Sequence, residues 1–277
     1  MHSMFVRGTF RFFLLFFLIQ PSILFSQTED EHNNEKTSPG SARIDFGADL
    51  VSRYIWRGSD YGNSPSVQPN IAFSVASFKI GVWGSYGLGE YKTKINDSST
   101  LEMGHYAEFD LFASYTFKWF TIGITDYFFP NGLNPNIGNR YYDYKKSTTS
   151  HLFEASLSFN GTEKLPLQVF VGTMFYGNDP GKDSLGNYSE RSKNNYSTYL
   201  EASYTFSLKK TGINLKPFIG GIPCGSSIYG SKAEIVNLGL TVSRSIKISN
   251  DYSLPVTASV ITNPGAQNIF IVFGITI

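Results

Sequence analysis

The chain has 277 residues, of which 41% are hydrophobic, 16% aromatic and only 16% charged. Soluble domains average roughly 25% charged residues, whereas the mean hydropathy of −0.14 is too polar for a bundle of membrane helices. The 23 basic and 22 acidic residues nearly balance, which argues against a nucleic-acid-binding protein with its concentrated basic surface. One cysteine and four scattered histidines predict neither a disulfide framework nor a metal site, and no motif predicts a cofactor.

Residues 1–26 have the composition of a secretory signal peptide. Arg7 and Arg11 give the segment a basic start, and the apolar run Phe12–Ile19 follows. A single transmembrane anchor is the alternative. The apolar run is shorter than the roughly 18 residues that a spanning helix needs, and Gln20-Pro21 interrupts it. We therefore predict that the protein is exported.

The predicted mature chain has two parts. Residues 27–42 are polar and acidic, which predicts a flexible tail. Residues 43–277 alternate apolar and polar side chains over segments of about ten residues, and a period of two predicts β-strands. In the first strand, Ile44, Phe46, Ala48, Leu50, Tyr54 and Trp56 share the apolar face. Twelve strands are predicted, with ten or fourteen as alternatives: this first strand, then Val67–Ser77, Ile80–Gly89, His105–Phe117, Phe120–Phe129, His151–Phe159, Leu167–Tyr176, Tyr196–Leu208, Ile213–Ile222, Glu234–Ile246, Leu254–Thr262 and the last ten residues.

The connections between these strands alternate in length. Short links such as Lys118-Trp119 and Lys209–Gly212 alternate with longer ones such as Glu90–Gly104, Pro130–Ser150 and Gly177–Asn195. Short turns at one end, longer loops at the other and an even strand number are typical of an outer-membrane β-barrel. In hydrocarbon every backbone donor and acceptor must be paired within the protein, so the sheet must close on itself. The sequence therefore predicts an all-β transmembrane antiparallel up-and-down barrel; a soluble secreted β-sandwich is the alternative.

Several segments are similar to a known family. The sequence Ser-Arg-Tyr-Ile-Trp-Arg-Gly opens the series, and aromatic-Pro and Asn-Pro pairs mark later strand ends. Together these segments resemble the TorF-type porin family, exported bacterial proteins regarded as outer-membrane barrels. The resemblance covers roughly Phe46–Ile277 and implies the same fold and location, but no catalytic residues. The segments are Ser52–Gly58, Pro65–Pro69, Gly81–Ser85, Asp126–Pro130 and Asn263-Pro264.

The charged residues of the predicted strands fall on the face opposite the apolar one. A charge on a lipid face costs about 2–4 kcal/mol at the bilayer midplane, so we predict that these residues line the lumen. A narrow, charge-lined conduit for passive diffusion of small polar solutes is the first hypothesis. A barrel closed by a buried acid–arginine network, which acts in adhesion or has a structural role through its long loops, is the alternative. The predicted pore-lining residues are Asp45, Asp49, Arg53, Arg57, Glu108, Asp110, Glu154, Glu201 and Lys216.

The predicted loop Pro130–Ser150 is rich in tyrosines and basic residues. It either folds inward as a constriction, presents stacking rings to a ligand such as a sugar, or is an ordinary surface loop. The residues concerned are Arg140, Tyr141, Tyr142, Tyr144, Lys145 and Lys146.

A lipid-modifying barrel enzyme is the minor alternative. His105 and His151 occupy predicted lipid-facing positions near loops, where either could serve as a general base for a serine. Serines are abundant and no Gly-x-Ser-x-Gly elbow occurs, so the protein is predicted not to be an enzyme. Asp126 falls on the apolar face of its strand, which requires a bulge or a strand end there.

The expected location is the outer membrane. The expected partners are outer-membrane lipid, small polar solutes and the barrel-assembly machinery, which would engage the C-terminal strand.

Overall fold

The computed structural model describes residues 41–96, 99–130 and 140–277, without the side chains of residues 91–103. The predicted signal peptide and residues 27–40 of the predicted tail lie outside this part of the chain. Within the described residues, no helix is long and apolar enough to cross a membrane.

The described residues form seventeen strands. Thirteen of them make one sheet, and two pairs of short strands make separate hairpins. The strands are β1 (Ala42–Val51), β2 (Tyr54–Trp56), β3 (Ser59–Tyr61), β4 (Ser66–Val75), β5 (Phe78–Asn96), β6 (Ser99–Phe117), β7 (Phe120–Phe128), β8 (His151–Phe159), β9 (Leu167–Gly177), β10 (Pro180–Lys182), β11 (Tyr188–Asn194), β12 (Thr198–Tyr204), β13 (Phe206–Leu208), β14 (Ile213–Ile222), β15 (Glu234–Lys247), β16 (Ser253–Asn263) and β17 (Asn268–Thr276).

The large sheet closes into a barrel through its first and last strands. Leu50 of β1 lies opposite Ile275 of β17, and Ala48 and Ile277 exchange two backbone hydrogen bonds of 2.9 Å. Every pairing is antiparallel. β12 and β13 count as one strand of the barrel wall because both pair with β14. The result is a twelve-strand antiparallel up-and-down barrel. The predicted all-β antiparallel up-and-down barrel and its strand number are confirmed.

Short turns lie at one end of the barrel together with both ends of the described chain, and the longer connections lie at the other end. We call these the turn end and the loop end. One predicted loop differs, because β5 and β6 continue beyond the barrel as a ladder that pairs Glu90 with His105 and Asn96 with Ser99. The segment Glu90–Gly104 is therefore largely strand rather than loop.

The two faces of the barrel wall differ sharply in exposure. On β7, Ile122 and Ile124 point outward and are 59% and 53% exposed, whereas Thr121 and Thr125 point inward and are 4% and 6% exposed. β17 alternates in the same way, with Ile269, Ile271 and Phe273 outermost. The period of two in the sequence thus separates an apolar outer wall from a polar and aromatic interior.

The first predicted strand is too long. β1 ends at Val51, and the chain bends at Ser52-Arg53 before it enters the barrel interior. Tyr54 and Trp56, predicted to lie on the apolar outer face, are 3% and 1% exposed inside the barrel. Their spacing continues the alternation of β1, but the bend turns the segment away from the wall.

Candidate functional site

The segment between β1 and β4 is a hairpin that occupies the lumen at the loop end. β2 and β3 pair through Trp56 and Ser59, and the two residues between them, Arg57 and Gly58, have φ angles of 49° and 79°. Positive φ at both central residues defines a type I′ turn, the tightest common hairpin connection. We call residues 52–65 the plug hairpin.

The tip of the plug hairpin contacts the wall formed by β15 and β16. The Asn263 side-chain amide donates to the Gly58 carbonyl oxygen at 3.2 Å. A Cβ at position 58 would lie only 1.8 Å from the Val236 carbonyl oxygen. Glycine is therefore required both by the turn and by the close approach of two backbones.

Arg57 extends from this tip to another part of the wall, where it pairs with Glu154 of β8. Its two terminal nitrogens donate to the two carboxylate oxygens at 2.6 and 3.0 Å, and both side chains are 3% exposed. The bidentate geometry suits guanidinium and carboxylate. Gly172 makes room for the pair, since a Cβ there would lie 2.5 Å from the Glu154 carboxyl carbon.

Aromatic rings enclose the Arg57 guanidinium. The rings of Trp56 and Tyr199 lie 4.6 Å from its central carbon, and those of Phe170 and Tyr229 lie at 5.1 and 5.6 Å. Ring faces attract a cation, more strongly when water is excluded. This cage and Glu154 together explain how a charged side chain is tolerated in the buried interior.

Tyr229 reaches Arg57 from the connection between β14 and β15, and its hydroxyl also accepts a hydrogen bond from the guanidinium. A buried network fixes this connection. Asp179 accepts hydrogen bonds from the Ser197 backbone at 2.9 Å and from the Ser197 and Ser227 hydroxyls. Ser226 in turn donates to the Ser197 hydroxyl at 2.8 Å. The connection between β9 and β12 and the connection between β14 and β15 therefore cover the plug hairpin at the loop end.

The remaining side chains of the plug hairpin pack on β5, β6 and β7. Tyr54 lies 5.5 Å from the Trp83 ring and 6.0 Å from Tyr106, and Trp56 lies 5.5 Å from Tyr127. These rings belong to one buried cluster. The loop-end half of the lumen is thus a packed aromatic core.

The turn-end half of the lumen has a different lining, in which hydroxyl and amide side chains accompany a few charges. Thr116 and Thr121 are in contact at 2.9 Å, the Ser203 hydroxyl donates to Gln168 at 3.3 Å, and Thr241 meets Ser259 at 2.9 Å. Asp45 of β1 and Lys216 of β14 also point inward in this half, and Lys216 lies opposite Thr241. The interior therefore changes along the barrel axis from aromatic to polar.

The structure places seven of the nine predicted pore-lining residues on inward positions of the barrel wall and two on the plug hairpin. Arg53 and Arg57 do not belong to the wall, because the bend after Val51 carries them into the hairpin, where Arg53 pairs with Asp60 at 3.1 Å. Of all nine, only Arg57 and Glu154 are brought together in an ion pair among the described residues. The wall positions are Asp45, Asp49, Glu108, Asp110, Glu154, Glu201 and Lys216.

Other predicted residues have local partners. The Tyr106 hydroxyl donates to Glu108 at 2.7 Å, and the Tyr199 hydroxyl and Asn237 amide donate to Glu201 at 2.6 and 3.0 Å. Asp49 accepts from Thr276 across the seam between β1 and β17.

The loop that contains Arg140–Ser150 lies on the outer wall of the barrel, not in its lumen. Tyr141 packs edge-on against Phe109 and Phe128, and Tyr144 stacks on His151 with ring centroids 4.4 Å apart. Residues 140–146 therefore form no constriction.

His151 and Asp126 explain why this loop is fixed. The Nδ1 atom of His151 lies 2.8 Å from the Asp126 carboxylate, and its Nε2 atom contacts the Tyr141 carbonyl oxygen. Asp126 lies two residues before the end of β7, and the loop covers it. A strand end beneath a loop, rather than a bulge in β7, accounts for its outward position.

The fold and interior together define a class of protein: a twelve-strand β-barrel with an apolar outer wall and a lumen occupied by its own first long connection. A family model described as "Bacterial protein of unknown function (Gcw_chp)" matches residues 34–252. The chain belongs to this family. A search of curated proteins found no match.

The ion pair between Arg57 and Glu154 should dominate the stability of the plug hairpin. Breaking a buried pair leaves one uncompensated charge, so Arg57→Gln or Glu154→Gln should lower the free energy of unfolding by about 3–5 kcal/mol. Urea titration of the folded protein in micelles measures this. The matched control is Arg53→Gln, whose partner pair is 36% and 17% exposed; it should cost at most about 1 kcal/mol. Equal losses in both variants would contradict this assignment.

The tip of the plug hairpin should not tolerate a side chain at position 58. Gly58→Ala adds a Cβ that collides with the Val236 carbonyl and strains the backbone, and it should destabilise the protein by about 1–3 kcal/mol. Gly186→Ala is the control, because Gly186 also has positive φ (85°) but nothing lies within 4 Å of an added Cβ. Equal losses of stability in the two variants would mean that backbone strain alone causes the effect. The tip of the plug hairpin would then not be in close contact with β15.

Proposed function

We propose that this protein is a β-barrel of the bacterial outer membrane. The exposure of the outer wall supports this location. Large apolar side chains on strand after strand are 38% to 83% exposed, among them Phe46 (83%), Ile122 (59%) and Ile271 (65%). Soluble monomers rarely expose so extensive an apolar surface, whereas a closed ladder with an apolar exterior is what a bilayer requires. The resemblance to the TorF-type porin family implies the same location.

The function that this geometry supports best is a narrow conduit for small polar solutes that the plug hairpin keeps shut. The single observation that carries the proposal is the division of the lumen. Hydroxyl and amide groups line the turn-end half, as a water-filled passage requires, while Arg57, Glu154 and the aromatic cage block the loop-end half. Passage would require the hairpin to leave its position, and transport would then be passive diffusion.

The orientation follows from the connections. Outer-membrane barrels have short turns on the periplasmic side and longer loops outside the cell. We infer that the turn end faces the periplasm and that the barrel-assembly machinery engages β17, whose residues close the barrel.

The proposal assigns no catalysis. The Nε2 atom of His151 contacts a carbonyl oxygen, which can only accept, so this nitrogen carries the proton and is not available as a general base. His105 directs its Nδ1 atom to the Gly87 carbonyl at 3.0 Å and stacks on the Tyr86 ring, and neither of these contacts is with a serine.

A barrel that never opens and acts through its long connections is the second candidate. The packed core around Trp56 and Arg57 favours it, since both side chains are nearly inaccessible to solvent.

Single-channel recording on the full protein in planar bilayers separates the two candidates. The wild type should be silent or conduct rarely. Replacing Tyr54–Tyr61 by a short glycine-serine linker removes the obstruction and should give discrete conductance steps. The control is a glycine-serine replacement of residues 184–187, the exposed turn between β10 and β11, which should leave the recording unchanged. Silence in the variant without the plug hairpin would exclude the conduit and favour the closed barrel.

The lipid-facing assignment of β7 gives a further prediction. Ile122→Lys places a charge on the outer wall near the middle of the strand, and it should weaken folding into bilayers by about 2–4 kcal/mol. Ser156→Lys on neighbouring β8 is the matched inward variant, which the polar interior should accept at a smaller cost. Denaturant titration in phospholipid vesicles measures both. An outward lysine that costs nothing would argue against a membrane location.

A further inference from the structure

The basic residues at the outer rim of the loop end form a group with a recognisable chemistry. Residues 140–150 contain Arg140, Lys145 and Lys146 but one acid, Asp143. Arg191 of β11 adjoins them, because one of its terminal nitrogens donates to the Thr149 carbonyl at 2.6 Å. We call Arg140, Lys145, Lys146 and Arg191 the basic rim.

The backbone and its neighbours hold the basic rim in place. Lys146 donates to the Gly177 carbonyl at 2.7 Å, and its ammonium lies 6.0 Å from the Tyr176 ring. The Tyr176 hydroxyl in turn donates to the Tyr144 carbonyl at 2.6 Å. The stacking of Tyr144 on His151 fixes the loop to the barrel wall. Lys146 and Arg191 are therefore held by direct contacts, while Arg140 and Lys145 lie on a loop whose rings are packed on the wall.

The acids near the basic rim have other partners. The Asp143 carboxylate accepts from the Lys145 backbone at 3.1 Å, and this contact and the Thr148 hydroxyl lower its pKa, so it stays ionised and pairs only distantly with Arg140, at 3.8 Å. Asp179 is held by Ser197 and Ser227. The Nε atom of Arg191 is buried and has no hydrogen-bond partner among the described residues. Of the two terminal nitrogens of the guanidinium, one donates to the Thr149 carbonyl, and the other can donate to a further group.

A cavity and a band of rings complete the arrangement. The cavity has a volume of about 650 Å³ and is lined by Arg140, Tyr141, Tyr142, Asp143, Lys145 and Thr148. Tyr142 is 88% exposed and Phe175 39% exposed on the same outer surface. Tyrosine and tryptophan rings settle at headgroup depth in a bilayer, and cations directly beside them meet the phosphates of that layer.

We propose that the basic rim binds the phosphorylated headgroup of an outer-leaflet lipid. This inference rests on the proposed membrane location. The terminal ammonium groups and the Arg191 guanidinium would donate to phosphate oxygens, the chemistry for which arginine and lysine are best suited. The tyrosines would contact the glycan or upper acyl region of the same lipid. The tyrosine-rich loop is thus a ligand loop that faces lipid and not the lumen.

Equilibrium binding of fluorescently labelled lipid A that carries both phosphates, to the full chain in dodecyl maltoside micelles, tests the proposal. The wild type should bind this probe at least about tenfold more tightly than the dephosphorylated probe, because a charge-assisted hydrogen bond is worth roughly that factor. The Lys145→Gln, Lys146→Gln, Arg191→Gln triple variant should bind the phosphorylated probe about tenfold or more weakly than the wild type. The control is the Lys209→Gln, Lys210→Gln variant at the turn end, which should bind like the wild type.

Three results would overturn the proposal: equal affinity for both probes, an unchanged triple variant, or an equal loss in the turn-end control. Displacement of the lipid by millimolar inorganic phosphate would also count against a headgroup site, since it would indicate a site for free phosphate. Circular dichroism checks that each variant folds, and Lys145→Gln alone serves if the triple variant does not. Cell fractionation distinguishes the two proposals. If the protein is recovered in the outer membrane but binds both probes equally, only the headgroup site is contradicted. If it is recovered outside the outer membrane, the proposed location is contradicted.

Discussion

Alternation of apolar and polar side chains at every second position is the constraint on which the barrel depends. It gives each strand one face for an apolar environment and one for the interior, and only a closed antiparallel ladder can present the first face everywhere while it pairs all backbone groups. The seam between β1 and β17 is the shortest pairing of the barrel wall. The C-terminal residue extends it, since Ile277 exchanges two hydrogen bonds with Ala48. Closure and alternation therefore depend on each other.

A barrel of twelve strands is too wide for wall side chains alone to fill it, and the plug hairpin supplies the missing volume. A type I′ turn at Arg57-Gly58 makes the hairpin narrow enough to enter. One charge at its tip is then placed in the most buried part of the lumen, where Glu154 and four rings compensate it. Removing either partner of such a pair would leave an uncompensated buried charge, so the pair favours this one position of the hairpin over others. We propose that this ion pair between Arg57 and Glu154 also keeps the conduit shut.

Most of the barrel could be predicted from the sequence, because a wall with one apolar and one polar face forces a period-two pattern on every strand. The plug hairpin could not, for a specific reason: Tyr54 and Trp56 keep the parity of β1 across the bend at Ser52-Arg53, so pattern alone continues the strand. The available signal was Arg57-Gly58, a pair that suits a two-residue turn. Arg57 lies in the interior on this hairpin rather than on the wall strand where it was predicted, and its cage of Tyr199, Phe170 and Tyr229 comes from distant segments that no local pattern connects.

The loop over β7 and β8 shows the same limit. Asp126 occupies an outward position that a charge should avoid, and this mismatch was visible in the sequence, while His151 shares the same outward face. That the two side chains contact each other beneath Tyr141 and Tyr144 follows from the pairing of β7 with β8, where Phe128 lies opposite His151. The register between β7 and β8 therefore brings the side chains of Asp126 and His151 into one buried contact.

Nitroxide labels along β17, introduced one at a time in a Cys224→Ser background and measured in lipid bilayers by electron paramagnetic resonance, show whether the apolar face of the barrel wall meets lipid. Labels at Ile269, Ile271 and Phe273 should collide with dissolved oxygen and be shielded from a water-soluble nickel reagent, while labels at Phe270 and Val272 should show neither strong oxygen contact nor lipid-like mobility. Uniform access of the nickel reagent to all five positions would contradict contact of this face with lipid.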